Sequence, residues 1–293
     1  MNFILKRSGK VREIYESADD MYVILVASDA VSAFDEILPR GIPDKGKILT
    51  KISEFWFKST GDIVPNAFIT CDNYKMDPFF NEHEELNGRC TMMKKLKMLP
   101  IEAIVRGNIT GSLWKAYKNG EREFCGLKLP EGLRESETLP EFIFTPTTKA
   151  PLGEHDQNLS YEGMIQHLKD AGVDHPEGTA RKIREYSMDL FIQCRAYAKE
   201  RGIIMADTKF EFGIDRNGIL VLGDELFTPD SSRFWSKADF VIGQAPPSMD
   251  KQLIRDWIQQ HPGDKEIPEK VLAKTRSKYI ECYERLTSKR FRG

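Results

Sequence analysis

The chain has 293 residues, of which 40% are hydrophobic and 30% charged, and its formal net charge is -2. This length and apolar share suffice for one large domain or two closely associated lobes with a sizeable core. The near-neutral net charge argues against nucleic-acid or membrane-surface binding, because proteins that bind either usually carry an excess of basic residues. The N-terminus becomes charged after five residues and no apolar run approaches the length of a bilayer span, so we expect a cytoplasmic protein.

The cysteines and histidines form no recognisable metal or redox motif. The five cysteines are scattered, no two of them make a CxxC pair, and the five histidines lack metal-ligand spacing. We therefore expect reduced thiols rather than a disulfide framework or a zinc site.

The first hundred residues are predicted to be rich in β-strands. Short runs with β-branched or aromatic members, bounded by Gly, Asp and Asn, occur at residues 11–15, 22–27, 67–71 and 89–95. Residues 48–58 carry apolar side chains at helical spacing and predict a helix. Leu99-Pro100 predicts a hinge, because proline disfavours helix in the residue before it.

The remainder of the chain mixes strands and helices. A strand is predicted at residues 101–106, then a helix at 112–119 and a loop-rich segment at 120–158. Two helices, a hairpin and a helical tail are predicted at residues 161–171, 179–201, 203–222 and 249–287. This order indicates an α+β fold, with a β-rich lobe at 1–98 and a mixed α/β lobe with C-terminal helices at 99–293.

A basic, glycine-containing turn, residues 8–12, precedes the first predicted strand. Gly9 lets backbone N–H groups approach a phosphate closely, Lys10 adds a positive charge, and Val11 begins the strand. The alternative interpretation is a solvated basic turn.

A second candidate anion site runs from a strand into a helix at residues 106–112. Thr110 or Ser112 can cap the helix that Gly111 precedes, and the free N–H groups at its start favour an anion. Arg106 can add a bidentate grip on phosphate or carboxylate. The alternative is an ordinary helix cap beside a surface arginine.

The segment DTKFEFG, residues 207–213, alternates charged and apolar side chains. On a strand, Asp207, Lys209 and Glu211 would face one side and the phenylalanines the other. Carboxylates and a lysine converging with Asp224 suit a magnesium-nucleotide site, since hard cations take oxygen ligands. The alternative is an amphipathic hairpin with one solvated face.

Asn217-Gly218 predicts a two-residue type I′ turn. That turn would place Glu211 opposite Asp224, where a shared cation would relieve their repulsion. A four-residue loop would instead place Lys209 opposite Asp224, and a three-residue bulged loop would break the alignment.

Two polar loops are weaker candidates. The loop 228–233 offers Arg233 and two serines for a phosphate or a ribose, and the loop 28–35 offers Ser28, Asp29 and Asp35. Both compositions are equally typical of plain surface turns.

Together these segments resemble the SAICAR synthetase family. The matching stretches occur in family order between about residues 8 and 287, and they are SGKVREIY, SDAVSAFDEILPRGIPDKGKILTKIS, LPIEAIVRGNITGSLWKAY, FTPTTKAPLGEHDQN, ADTKFEFG, LGDELFTPDSSRFW and KTRSKYIECYERLT. Local departures from the family pattern fall at Asn108-Ile109, Leu113 and Thr147.

The resemblance implies a β-rich, kinase-like ATP-binding lobe, a mixed second lobe and an active site in the cleft between them. It implies an ATP- and magnesium-dependent ligase of purine biosynthesis that joins L-aspartate to the carboxylate of carboxyaminoimidazole ribonucleotide (CAIR), through an acyl phosphate, to give SAICAR, ADP and phosphate. Its tail is similar to that of the longer members, which favours a monomer.

The resemblance also implies a role for each candidate residue. Those near ATP are Gly9, Lys10, Val11, Lys94, Met98, Glu102, Glu211 and Asp224, the last two through magnesium. Those near the imidazole nucleotide or the substrate cleft are Arg106, Gly111, Ser112, Arg233, Ser28, Asp29 and Asp35. Lys209 would meet the transferring phosphoryl group, and Asp207 would hold the nucleotide and is a candidate acceptor of the amine proton.

Two other functions remain open on the sequence. A small-molecule kinase with the same ATP cleft would release a phosphorylated product, and a purine-nucleotide sensor would bind without turnover. The set Asp207, Lys209, Glu211 and Asp224 argues against the sensor, because that set suits phosphoryl transfer.

Overall fold

A computed structural model describes residues 2–9, 11–33, 36–150, 155–264 and 266–293. Lys10 and Asp35, two of the predicted site residues, lie outside the described residues. The strands are β1 Phe3–Ser8, β2 Arg12–Ser17, β3 Tyr22–Ala27, β4 Ser32–Ala33, β5 Glu36–Ile37, β6 Phe68–Thr70, β7 Cys90–Lys94, β8 Lys97–Asn108, β9 Glu123–Phe124, β10 Leu127–Lys128, β11 Thr138–Phe144, β12 Thr147–Thr148, β13 Ile203–Ile214, β14 Leu220–Gly223 and β15 Ser232–Ser236. The α-helices are α1 Lys45–Ser59, α2 Pro78–Glu82, α3 Gly111–Lys118, α4 Tyr161–Asp170, α5 Pro176–Glu200, α6 Gln252–Gln260 and α7 Glu269–Thr287.

The N-terminal part of the chain forms an antiparallel sheet with the strand order β1-β2-β3-β7-β6. The strands predicted at residues 11–15, 22–27, 67–71 and 89–95 are confirmed to within two residues at each end. β1 is a strand that the residue pattern does not predict, since it is an edge strand whose side chains are mostly exposed and do not alternate between apolar and polar.

The second sheet has the order β11-β8-β13-β14, with β12 also beside β8 and β15 also beside β13. β8 contains Leu99 and Pro100, so the predicted hinge residues continue a strand and the chain passes between the sheets at Lys95-Leu96. The division of the chain at residue 98 stays a prediction. The segment 120–158, expected to be loops, also contains β11, which pairs with β8.

The predicted helices are confirmed as α1, α3, α4 and α5, and the helical tail is divided into α6 and α7 around Pro262-Gly263. The α+β fold class is therefore confirmed. None of the helices in the described ranges combines the length and hydropathy that a membrane span requires.

An aromatic cluster fixes α1 against the central strand of the second sheet. Phe210 on β13 packs against Phe227, and Phe227 packs against Trp56 on α1, with ring centroids 5.2 Å apart in each pair. These three side chains are at most 2% exposed. Burying each stabilises the fold by roughly 1.5–3 kcal/mol, and together they hold the opposite, charged face of β13 at the cleft between the two sheets.

Candidate active site

A cavity of about 490 Å³ lies between the two sheets. One part of its wall is apolar and comes from strands of the first sheet and from the start of β8, with Ile14, Val23, Leu25, Ala67, Met93, Met98 and Leu99. Another part is charged and includes Lys94, Lys149, Glu211 and Asp224. An apolar pocket with a few converging charged groups can hold a planar ring at one end and an anion at the other.

β13 supplies the charged floor of the site, as its alternating pattern predicts. Phe210 and Phe212 are buried in the core, whereas Lys209 and Glu211 make ion pairs on the other face. Lys209 Nζ lies 2.5 Å from Glu102 Oε1 and 3.9 Å from Glu211 Oε1. Burial opposes the charge on Lys209, but these two carboxylates raise its pKa above the ordinary value, so it is a fixed cation.

The predicted pairing of Glu211 with Asp224 is wrong, because Glu211 is opposite Gly223. The loop has three residues, Arg216, Asn217 and Gly218, and of the Asn-Gly pair only Gly218 has a positive φ, which excludes a type I′ turn. The physical reason is Asp215, whose carboxylate accepts hydrogen bonds from the Asn217 and Ile219 N–H groups, both at 2.9 Å. The bulged three-residue alternative therefore holds.

Asp224 nevertheless reaches the same cavity as Glu211, since it lies just beyond β14 with a φ of 56°. Its carboxylate pairs with the guanidinium of Arg12 on β2, while that of Glu211 pairs with Lys149. Burial, then the charge of Asp224, raises the pKa of Glu211. Burial alone would raise the pKa of Asp224, but Arg12 and the lysines lower it.

Lys149 and Arg12 are site residues that the sequence interpretation did not single out. Both lie within the stretches that carry the family resemblance, FTPTTKAP and SGKVREIY, so those stretches were the available signal. Their partners are far away in the chain, and local periodicity cannot show a contact between β2 and the end of the β13–β14 hairpin.

A second charged cluster lies farther along β13, where the predicted residues Arg106, Ser112, Asp207 and Arg233 come together. The Arg106 Nη1 atom is 3.3 Å from the Asp207 Oδ2 atom, and its Nη2 donates to the Ser112 hydroxyl at 3.3 Å. Arg233 on β15 pairs with the same Asp207 oxygen. Burial lowers the pKa of Arg106, the charge of Asp207 opposes this shift, and the neighbouring Arg233 guanidinium adds to it.

Gly111 makes room for this cluster. It has a φ of 57°, and a Cβ atom there would lie 2.6 Å from the Arg233 guanidinium. Two cations thus converge on one carboxylate beside the start of α3, an arrangement that leaves donors for an added anion. Thr110 is the N-cap of α3 but makes no capping hydrogen bond through its side chain.

The remaining predicted residues have structural partners. Gly9 N donates to Arg12 O at 2.7 Å in the turn between β1 and β2, and Ser28 Oγ donates to Val11 O at 2.9 Å. Asp29 pairs with Arg89 and accepts from Gly46 N at 2.9 Å at the start of α1. The substrate roles of Ser28 and Asp29 stay predictions.

The donor set fits a magnesium ion held together with phosphate groups. Glu211, which is buried, and Asp224, which is half-buried, present two carboxylates to one cavity, and their mutual repulsion favours a cation between them. Across the described ranges no group of three or more His, Cys, Asp or Glu residues is placed to hold a metal. Magnesium usually binds through one or two carboxylates plus substrate phosphates, so two suffice.

Comparison with known proteins identifies the relatives of this fold. A sequence model described as SAICAR synthetase matches residues 5–270. Proteins named phosphoribosylaminoimidazole-succinocarboxamide synthase from Lachnospira eligens and Methylobacillus flagellatus are 49% and 48% identical, covering 97% and 98% of this chain and 95% of each relative. A structure of SAICAR-synthase from Saccharomyces cerevisiae complexed with SAICAR is 40% identical, with a TM-score of 0.85 over 99% of this chain and 97% of that one. A SAICAR synthetase structure in complex with ADP is 28% identical, with a TM-score of 0.71 over 98% and 99% of the two chains.

Proposed function

We propose a role for each part of this cleft from one premise: the chain belongs to the SAICAR synthetase family. It is an ATP-dependent ligase of de novo purine biosynthesis, and its reaction joins L-aspartate to the carboxylate of CAIR to give SAICAR, ADP and phosphate. Assignment of individual residues, magnesium dependence, a monomeric state and a cytoplasmic location are our proposals.

ATP is assigned to the 490 Å³ cavity, whose lining and volume support this placement. Its adenine would lie on the apolar wall near Lys94 and Met98, and its phosphates would extend toward Glu211 and Asp224 under the turn that contains Gly9, Lys10 and Val11. Glu102 would face the ribose, although its carboxylate also serves as the partner of Lys209. When bound, a magnesium ion at Glu211 and Asp224 would neutralise phosphate charge.

CAIR is assigned to the cluster of Arg106, Gly111, Ser112, Asp207 and Arg233. Arg106 and Arg233 both pair with Asp207, which precedes Lys209 on β13 and is separated from it only by Thr208. This observation supports the placement most directly. Two guanidinium groups beside a helix start suit a phosphorylated carboxylate nucleotide. Ser28, Asp29 and Asp35 are assigned to the wall of the same cleft.

The chemistry then needs two transfers. The γ-phosphoryl group of ATP passes to a carboxylate oxygen of CAIR as its bond to the ADP oxygen breaks, giving an acyl phosphate. The amine nitrogen of aspartate forms a bond to the acyl carbon, phosphate leaves with the electrons of the C–O bond, and the nitrogen loses a proton. Lys209 and Lys149 would stabilise charge on the transferring group, and Asp207 is the candidate acceptor of the proton.

A coupled ADP-release assay tests this function, with each of the three substrates omitted in turn. ADP release is expected to require CAIR, and SAICAR formation is expected to require L-aspartate. Equal turnover with an unrelated phosphate acceptor would favour a kinase, and nucleotide binding without ADP release would favour a sensor.

A further inference from the structure

The central strand β13 contains a β-bulge just before the charged residues that face the cleft. Met205 on β13 lies opposite Phe234 on β15. Further along β13, Asp207 lies opposite Arg233, which is the chain neighbour of Phe234. The strand β13 thus uses one residue more than β15 over this step, and Ala206 is the extra residue. We call this irregularity the β13 bulge.

The β13 bulge decides which face of the sheet receives the charged side chains. Arg233 and Phe234 are neighbours on β15 and therefore point to opposite faces. Their partners Asp207 and Met205 must do the same, although a regular strand would place both on one face. Met205 is buried in the main hydrophobic core, while Asp207 pairs with Arg233 at the cleft. Without the extra residue, the side chains beyond it would exchange faces, as they do in any one-residue slip of register.

An arginine on α5 contacts the backbone of the β13 bulge. The Arg195 guanidinium donates to the Met205 carbonyl, which belongs to the peptide bond between Met205 and Ala206. A bulge interrupts the regular ladder of hydrogen bonds between strands, so its backbone groups need other partners. The Arg195 side chain supplies such a partner at the position where the strand changes register.

The surroundings of Arg195 hold its guanidinium in this position. The Arg195 Cζ atom lies 5.0 Å from the centre of the Phe142 ring and 5.6 Å from that of the Phe191 ring. A Cβ atom on Gly107 would lie 2.8 Å from the same Cζ atom, so the glycine on β8 leaves the room that the guanidinium needs. Gly107 follows Arg106 on β8 and therefore faces away from the cleft. The guanidinium of Arg195 thus lies behind the ion pair that Arg106 makes in the cleft.

Arg195 is half-buried, and no carboxylate among the described residues pairs with it. Burial lowers the pKa of Arg195 to about 10, so the guanidinium is still a cation at neutral pH. Desolvation of a cation without a counter-ion costs stability, and here a backbone carbonyl and two aromatic rings offset that cost. Charge pairing therefore does not account for this arginine, whereas its contact with the β13 bulge does.

We propose that Arg195 is a positioning residue of the ligase: it fixes the β13 bulge and thereby aims Asp207 between Arg106 and Arg233. The proposal rests on the placement of CAIR at this cluster. Because Asp207 is the shared counter-ion of both guanidinium groups, a shift of its carboxylate changes the donors that they offer to an anion. A displacement of about 1 Å in such a site is enough to weaken binding or turnover strongly.

The variant Arg195→Met tests this role, because it keeps an apolar stem between the rings and removes the donor. We expect the KM for CAIR to rise roughly tenfold, while the KM for ATP changes less than about twofold. Arg201→Met is the matched control, since Arg201 is also half-buried, lies over the Tyr197 ring and donates to a carbonyl of α5 at 3.2 Å. It is expected to leave both KM values unchanged. Arg195→Lys keeps a donor and is expected to recover part of the affinity for CAIR.

A second variant keeps the test independent of the folding of Arg195→Met. Gly107→Ala retains Arg195 but displaces its guanidinium, and the φ of Gly107 lies outside the positive region, so the substitution adds no backbone strain. It is expected to raise the KM for CAIR selectively, as Arg195→Met does. An unchanged KM for CAIR in both variants would overturn the role of Arg195.

A double-mutant cycle with Asp207→Asn separates positioning from a general loss of stability. If Arg195 acts through Asp207, Arg195→Met should change the KM for CAIR of the Asp207→Asn enzyme less than about twofold. A full effect of Arg195→Met in that background would overturn the positioning role. An unchanged KM for CAIR in Asp207→Asn alone would instead overturn the proposed placement of CAIR.

Discussion

Arg12 and Asp224 are 212 positions apart in the chain, yet the guanidinium of one lies directly against the carboxylate of the other. The second terminal nitrogen of Arg12 is 3.1 Å from Glu225 Oε1. β2 of the first sheet is thereby tied to the end of the β13–β14 hairpin in the second. The pair holds together the two walls of the cavity in which we place ATP.

Arg12→Gln is therefore expected to destabilise the protein. The Arg12, Asp224 and Glu225 side chains are only 17%, 22% and 16% exposed, so removal of the cation leaves two poorly solvated carboxylates without this counter-ion. We expect the free energy of unfolding to fall by about 3 kcal/mol in urea titrations. Arg122→Gln removes an exposed ion pair with Glu131 and is expected to have far less effect. Equal effects of the two substitutions would contradict a structural role for the Arg12 contact.

Gly111→Ala is expected to weaken CAIR binding. The added Cβ would collide with the Arg233 guanidinium, so we expect the KM for CAIR to rise at least tenfold in steady-state assays. Gly132→Ala is the matched control, because Gly132 also has a positive φ, 77°, but nothing lies within 4 Å of its added Cβ. Both substitutions should cost about 1 kcal/mol of backbone strain. If both change the KM for CAIR alike, strain rather than the position of Arg233 is responsible.

The residue pattern predicts the charged face of β13 because strand geometry alone decides which side chains alternate. Asp207, Lys209 and Glu211 face the cleft as expected, and the family stretches indicate the partners Arg106 and Arg233. The register of the hairpin could not be predicted in the same way. The Asn-Gly signal was outweighed by the carboxylate of Asp215, which captures two loop N–H groups and shifts the pairing by one residue.

The contacts that close the cleft could not be predicted from local pattern either. Lys149 belongs to a segment predicted to be loops, and its contact with Glu211 appears only in the structure. Arg12 belongs to a predicted strand, and nothing in the local pattern indicates its contact with Asp224. In each case the role depends on a contact between residues that are far apart in the chain, and local sequence patterns do not show such contacts.

Glu211→Gln is expected to stabilise the nucleotide-free protein while it removes activity. Burial raises the pKa of Glu211 above its ordinary value of 4.5, so the folded state binds its proton more tightly than the unfolded state. The stability that this provides is complete below pH 4.5 and is lost as the pH rises through the folded-state pKa. Above that pKa we expect the variant to be the more stable protein, by about 1.4 kcal/mol for each pH unit by which the pKa is displaced.

Urea unfolding of the wild type and the variant at several pH values measures this difference. Glu141→Gln, on the exposed face of β11, is the control and should show no such divergence. A wild type that stays more stable than Glu211→Gln at neutral pH would show that the Lys149 and Lys209 contacts outweigh the burial of the carboxylate.

Asp224→Asn is expected to weaken the dependence of nucleotide binding on magnesium. Asp224 and Glu211 present two carboxylates to one cavity, and the amide would keep the shape of the side chain while it removes one negative charge. Because magnesium would be shared between the carboxylates and the phosphates, it should lower the Kd for ADP of the wild type in calorimetry. The factor by which magnesium lowers this Kd should be at least tenfold smaller for the variant. The magnesium concentration for half-maximal activity should rise by a similar factor. Asp62→Asn changes an exposed carboxylate in the turn after α1, controls for the loss of one charge and should behave as the wild type. An unchanged magnesium effect on ADP binding in Asp224→Asn would remove this residue from the proposed metal site and leave it as the structural partner of Arg12.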